Sequence, residues 1–303
     1  MLRWRLAMSA VLIPLLAGIF ALDHSFGSSA PILLVFGCVL AYRGADELCD
    51  LLHTRNFTPH RFTVCALSML VTSAAWFGRS RIFPIDVPDD GNTLAQVMLA
   101  YSLSILIMFF VSAYRYREPG KSMETLGAEL MIVSYVGVLL GVCAQLRWVA
   151  GAEAGYLVMA SLVIVTKAGD AGAYTLGRLF GRRKLVPLLS PGKTYAGAGG
   201  ALLGSALGAY LWLTFATPFF NATWQPPEWY WTVLYGVIIG IVGLIGDLCE
   251  SLIKRDVGKK DSAGLLPGFG GLLDLLDSII YSAPVAYILW KAIPLATWKI
   301  PGA

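Results

Sequence analysis

Asp247, Glu250, Ser251 and Lys254 recur at i, i+3, i+4 and i+7, so on a helix they line one stripe. Arg255, Lys259, Lys260 and Asp261 follow, then the turn Pro267-Gly-Phe-Gly-Gly271. Asp274 and Asp277 come next, three residues apart on the first turn or so of the following helix, and the glycines let the two carboxylate clusters approach each other. Paired carboxylates beside clustered Lys and Arg suit a nucleoside triphosphate chelated by a divalent ion. Magnesium takes one or two carboxylates plus phosphate oxygens, and the cations neutralise the remaining charge. Phosphoryl-type chemistry needs positioning and charge stabilisation more than covalent help. Taken alone, residues 254–260 read as cationic anchors at the end of a span, and the acids as their structural ion-pair partners. Asp247 and Asp274 weigh toward a site, because both lie against apolar sequence where a carboxylate is costly.

A second segment runs from Asp170-Ala-Gly-Ala-Tyr174 through Gly177-Arg178-Leu-Phe-Gly181 to Ser190-Pro-Gly-Lys193-Thr194. Entering an apolar helix, the last of these offers backbone N–H groups, two hydroxyls and an ammonium to phosphate oxygens. A plain helix cap is the alternative. Gly192-Lys193-Thr194 does not read as a Walker loop: the required glycine is missing five residues upstream, and no strand is expected before it. Arg178, Arg182, Arg183 and Lys184 divide between anchors and phosphate contacts, with Arg178 the candidate for contact.

The elements that must position these groups are membrane helices. The chain is 303 residues long, 57% hydrophobic and only 14% charged, which leaves too little charge to clothe a water-soluble surface. Its apolar runs are continuous, without the alternation of barrel strands, so helices must satisfy the backbone in lipid. About nine spans are expected, at Ala7–Leu22, Ala30–Tyr42, Phe62–Gly78, Leu94–Tyr114, Thr125–Leu146, Gly155–Gly177, Ala196–Ala216, Trp229–Glu250 and Ser278–Ile293. The fold class is all-α, a polytopic transmembrane helical bundle. Residues 1–150, with few polar groups inside spans, read as scaffold. Residues 151–303, where Lys167, Asp170, Asp247 and Asp277 interrupt apolar sequence, read as the catalytic region of a single membrane domain.

With the N-terminus cytoplasmic, seventeen Lys and Arg fall on the inner side and five on the outer, with Lys167 inside a span. That orientation puts both motif loops inside and the C-terminus outside. The net charge of +4 is thus a topology signal, and no basic patch for nucleic acid is evident. The N-terminal stretch reads as an uncleaved first span. Five cysteines occur singly, without metal or redox spacing, and His24, His53 and His60 lie outside both motifs. The aromatic segment Phe215–Trp231 reads as an interfacial belt.

The run SLIKRDVGKKDSAGLLPGFGGLLDLLD resembles the signature of the phosphatidate cytidylyltransferase family, with Ser-x-x-Lys-Arg, Lys-Asp, Pro-Gly-His-Gly-Gly and Asp-Arg-x-Asp in that order. The Asp170–Gly197 segment is similar to the same family, and the resemblance covers roughly residues 165–290. Phe269 and Leu275 depart, standing where the family usually has His and Arg. What the resemblance implies is attack by the phosphate of phosphatidate on the α-phosphorus of CTP, giving CDP-diacylglycerol and pyrophosphate with Mg²⁺ as cofactor and a second, monovalent cation left open. Asp247 and Asp274 would hold the metal, with Asp277 a further ligand or an orienting acid. Lys254, Arg255, Lys260 and Lys193 would bind phosphates, with Asp261 beside them, and Ser190, Thr194 and Ser251 would add hydroxyl contacts. Asp170 would orient Arg178 or Lys193. The setting implied is a bacterial-type inner (plasma) membrane, with the site facing the cytoplasm, no nucleic-acid partner, membrane lipid around the chain and a homodimer left open.

Two competing readings remain. A CTP-dependent polyprenol or phytol-type lipid kinase would keep the nucleotide site but release CDP. A secondary transporter would also use intramembrane acids and broken helices, but should show inverted repeats, and none is found.

Overall fold

The computed structural model describes residues 2–55, 57–77, 94–117, 119–120, 122–260, 262–263 and 270–297. Ten α-helices run along these residues: α1 (Leu2–His24), α2 (Pro31–His53), α3 (Arg61–Ser73), α4 (Leu94–Arg115), α5 (Ser122–Ile132), α6 (Leu139–Val149), α7 (Gly155–Phe180), α8 (Tyr195–Phe220), α9 (Trp229–Asp256) and α10 (Leu273–Ala292). A π-helical stretch, Val133–Val138, joins α5 to α6. Among the described residues, six helical segments are long and apolar enough to cross a membrane: α4, α5 through α6, α7, α8, α9 and α10. The stretches Ala10–His24 and Arg61–Trp76 are shorter apolar helices. α2 has the length, but Arg43, Asp46, Glu47 and Asp50 crowd its C-terminal half. The chain is therefore an all-α polytopic membrane protein.

One departure from an all-helical reading is the antiparallel hairpin between α7 and α8. Its strands are β1 (Lys184–Val186) and β2 (Ser190–Thr194), with Lys184 opposite Thr194 and Val186 opposite Ser190. Gly192-Lys193-Thr194 thus lies in a strand and β1 precedes it, where no preceding strand was expected. Pro187, Pro191 and Gly192 disguise strands this short.

The contacts divide the chain into two units, Met1–Gln145 with Asp256–Leu275, and Leu146–Arg255 with Leu276–Ala303. In the first, buried carboxylates do the work of helix caps. Asp23 Oδ1 accepts from the amides of Ile32 (2.6 Å) and Leu33 (3.2 Å) at the start of α2, and Glu129 Oε1 accepts from His60 N (2.7 Å) at the start of α3. The π turn shifts the helical ladder, and the Thr72 hydroxyl donates to the Gly137 carbonyl within it (3.3 Å).

In the second unit, α7 and α8 pack backbone to backbone. Gly200, Gly204 and Gly208 recur every four residues on α8, the small-residue spacing that lets helices approach closely in lipid. A Cβ on Gly200 would collide with the Gly172 carbonyl, and one on Gly204 with the Ala168 carbonyl. Ser205 Oγ donates to Val165 O (3.1 Å) and Trp212 Nε1 to Leu157 O (3.0 Å) along the same seam. α10 also approaches α9 at Gly246, where a Cβ would be 2.7 Å from Tyr281 Cβ and 3.0 Å from the Asp277 carbonyl oxygen. That contact brings the Asp277 level of α10 against α9 one residue from Asp247.

Gly200→Ala should therefore overpack the α7/α8 seam, at about 1–3 kcal/mol. Gly199→Ala, where an added Cβ meets nothing within 4 Å, should be neutral or slightly stabilising. Thermal melts of the two variants in one detergent check this.

Candidate functional site

α9 carries the predicted stripe from its apolar middle to its C-terminal end. Glu250 and Lys254, one turn apart and both buried, form an ion pair there. Asp247, one turn earlier and partly exposed, pairs with Lys193 from β2 at 2.8 Å. Lys193 also donates to the Leu244 carbonyl (3.3 Å), so the hairpin is fastened to α9 by one side chain making two bonds. Arg255 Nε adds a third, to Leu189 O at 3.3 Å.

Asp277, buried on α10, completes the cluster. Asp247, Glu250 and Asp277 each bring a carboxylate oxygen within 4.8 Å of the others. Two unit charges at that separation repel by on the order of 3 kcal/mol at an effective dielectric constant of about 20. Lys193 and Lys254 offset part of this, and Lys167 is near enough to act electrostatically on Asp277. The donor set is all carboxylate oxygen, which suits Mg²⁺, Mn²⁺ or Ca²⁺ and not a soft metal.

The remaining expected residues divide. Asp170 pairs with Lys167 (2.9 Å) and not with Arg178 or Lys193; Arg178 donates to the Tyr174 hydroxyl (3.0 Å) and Lys193 is taken by Asp247. The i, i+3 spacing explains the Asp170 outcome, since residues 167 and 170 are neighbours on one face of α7. Thr194 is buried, and its Oγ1 accepts from Gly197 N (3.1 Å) as the N-cap of α8, the alternative reading of that segment. Ser190 is half-buried in β2, Ser251 is buried on α9 and Lys260 is exposed after it. Asp261 and Phe269 lie outside the described residues.

Asp274 belongs to the first unit. Its Oδ2 accepts from Ser262 N (2.9 Å), Ser262 Oγ (2.9 Å) and Gly271 N (2.8 Å), closing the loop ahead of α10 upon itself. Gly270 sits at φ +97°, a conformation few side chains tolerate, which accounts for the first glycine of the Gly-Gly pair. The same loop bonds to Glu47 of α2 through Leu272 N, Leu273 N and Ser262 Oγ.

Glu250 was placed on the stripe without a role of its own, and Lys167 and Glu47 were given none. Lys167 carried a signal, as a charge inside an apolar run one helical turn from Asp170. Glu47 carried little, being one of several charges late in α2.

The sequence model of the cytidylyltransferase family matches residues 3–293. An uncharacterized protein YnbB of Escherichia coli is 40% identical over 135 residues, 45% of this chain and 43% of its own length. A phosphatidate cytidylyltransferase of Synechocystis is 45% identical over 125 residues, 40% of this chain and 38% of its own length. The match thus spans about two fifths of each of those relatives. A phosphatidate cytidylyltransferase of Staphylococcus saprophyticus is 30% identical over 260 residues, 85% of this chain and 89% of its own length.

The Glu250–Lys254 pair makes a prediction independent of activity. Lys254→Met removes the ammonium paired with buried Glu250 and should cost about 3–5 kcal/mol, whereas adding Glu250→Leu should recover most of that loss. A double-mutant cycle of detergent melts measures both.

Proposed function

The chain belongs to the cytidylyltransferase family, and from that premise we propose that it makes CDP-diacylglycerol and pyrophosphate from CTP and phosphatidate. The observation that carries this reading is the convergence of Asp247, Glu250 and Asp277 beside Lys193 and Lys254. An acid cluster flanked by cations is what a chelated triphosphate requires. Relatives named for this reaction, one matched over most of its length, support the choice of substrates.

In the reaction, a phosphate oxygen of phosphatidate attacks the α-phosphorus of CTP. The bond from that phosphorus to the β-phosphate oxygen breaks, and pyrophosphate leaves with the electron pair. The nucleophile is already anionic at neutral pH, so no strong general base is needed, and the absence of a histidine at Phe269 is tolerated. Lys193 and Lys254 would meet phosphate oxygens as their carboxylate partners turn to a cation, and Arg255 and Lys260 would add charge at the end of α9. The resemblance implies Asp247 and Asp274 as metal ligands, and the nearness of Glu250 and Asp277 to Asp247 supports a part for them as well. Bound there, Mg²⁺ would neutralise charge on the triphosphate and align it. Each of these carboxylates is hard and anionic, which fits that ion.

The acyl chains of the lipid substrate would stay in the bilayer while its head group enters the polar region. The distribution of Lys and Arg supports a cytoplasmic N-terminus and a site on the cytoplasmic face of the plasma membrane, where CTP is. The span count of about nine belongs to the same proposal, with Ala10–His24, Arg61–Trp76 and α2 added to the six long apolar helices. The lipid-kinase and transporter readings draw no comparable support.

Purified protein in detergent should release pyrophosphate from CTP only when phosphatidate and Mg²⁺ are both present. Asp277→Asn should lower kcat by about 100-fold or more, the scale of losing a charge-positioning group. Release of CDP in place of pyrophosphate would support the kinase reading instead, and turnover without phosphatidate would refute the proposed acceptor.

A further inference from the structure

Glu47 is 2% exposed and lies more than two hundred residues in sequence from the loop it touches. Its Oε1 accepts from Leu272 N (2.9 Å), and its Oε2 accepts from Leu273 N (3.1 Å) and from Ser262 Oγ (3.2 Å). The two amides are among those that a helix starting at Leu273 leaves without intrahelical acceptors, and the carboxylate faces the positive end of that helix. Ser262 Oγ is also within 2.9 Å of Asp274 Oδ2, so its single proton is shared between the two carboxylates. The fit is tight: a Cβ on Gly271 would strike both Ser262 Oγ and the Glu47 carboxylate, which accounts for the second glycine of the pair.

Asp23 and Glu129 also cap helices from buried positions, but the amides they hold open α2 and α3 and not the helix that carries Asp274. Glu47 differs in holding the loop that carries Asp274. A neutral amide there would turn N–H groups toward N–H donors and release at least one of the three bonds. We propose that Glu47 is a positioning residue of the transferase, fixing the start of α10 and the direction of Asp274, so that its charge governs how tightly nucleotide and metal are held. The inference rests on the transferase reading of this loop. It gives a helix of the N-terminal half, read from sequence as scaffold, a part in substrate affinity.

The test compares Glu47→Gln with Glu129→Gln, a buried cap of the same chemistry that holds the start of α3 instead. Hydrogen exchange of the 270–275 segment and the KM values for CTP and Mg²⁺ are measured on both, beside detergent melts. Glu47→Gln should speed exchange at Leu272 and Leu273 at least tenfold and raise KM for CTP or Mg²⁺ at least tenfold. Glu129→Gln should lower the melting temperature while leaving exchange in that segment and both KM values as in the wild type. If Glu47→Gln does not fold, Glu47→Asp, which keeps the charge on a shorter stem, should show the same changes to a smaller degree. Unchanged loop exchange, or kinetic losses in the two variants that merely follow their melting temperatures, would overturn the role of Glu47 with the transferase reading intact. A wild type that releases no pyrophosphate would overturn the transferase reading itself.

Discussion

Removing a carboxylate from water costs several kcal/mol unless N–H donors or cations replace the lost hydration, and in a fold surrounded by lipid there is little water to make up a shortfall. This chain buries Asp23, Glu47, Glu129, Glu250 and Asp277. Asp23, Glu47 and Glu129 are satisfied by backbone amides at helix starts, where the donors have no other partner. Glu250 is satisfied by Lys254, and Asp277 shares its surroundings with Asp247 and Lys167. The two solutions have different consequences. Amide donors are fixed by the backbone, so a carboxylate they hold acts as architecture. Ammonium partners sit on flexible stems and can turn to a phosphate, so a carboxylate they hold can exchange its lysine for a metal ion.

Close helix packing makes the second arrangement achievable. The glycines of α7 and α8 allow backbone contact along the seam that leads to the hairpin, and the hairpin delivers Lys193 to Asp247. Gly246 admits the Asp277 level of α10 against α9. Larger residues at these places would separate the helices by a side-chain layer, and oxygens now within 4.8 Å would be too far apart to share an ion.

The sequence made the second unit's cluster legible because its signals are local. Asp247, Glu250 and Lys254 lie on one helix face, and helical spacing alone aligns them. The Asp277 position follows from a carboxylate inside an apolar run. Where partners are distant in sequence, local pattern failed: Glu47 is joined to the loop across more than two hundred residues, and no periodicity links them. The hairpin was missed because its strands are short and broken by proline, and Asp170 was assigned a distant partner although Lys167 stood one turn away. Thr194 illustrates a residue type with two legitimate uses, hydroxyl donor to phosphate or cap of its own helix, between which sequence cannot choose.

Asp247, Glu250 and Asp277 are proposed to share in holding one divalent ion. Titration of the purified protein with Mn²⁺, followed by electron paramagnetic resonance with and without CTP, tests it most directly. One saturable site is expected in the wild type, tightened by CTP and weakened at least tenfold by Glu250→Gln. Equal Mn²⁺ binding by wild type and that variant would contradict it.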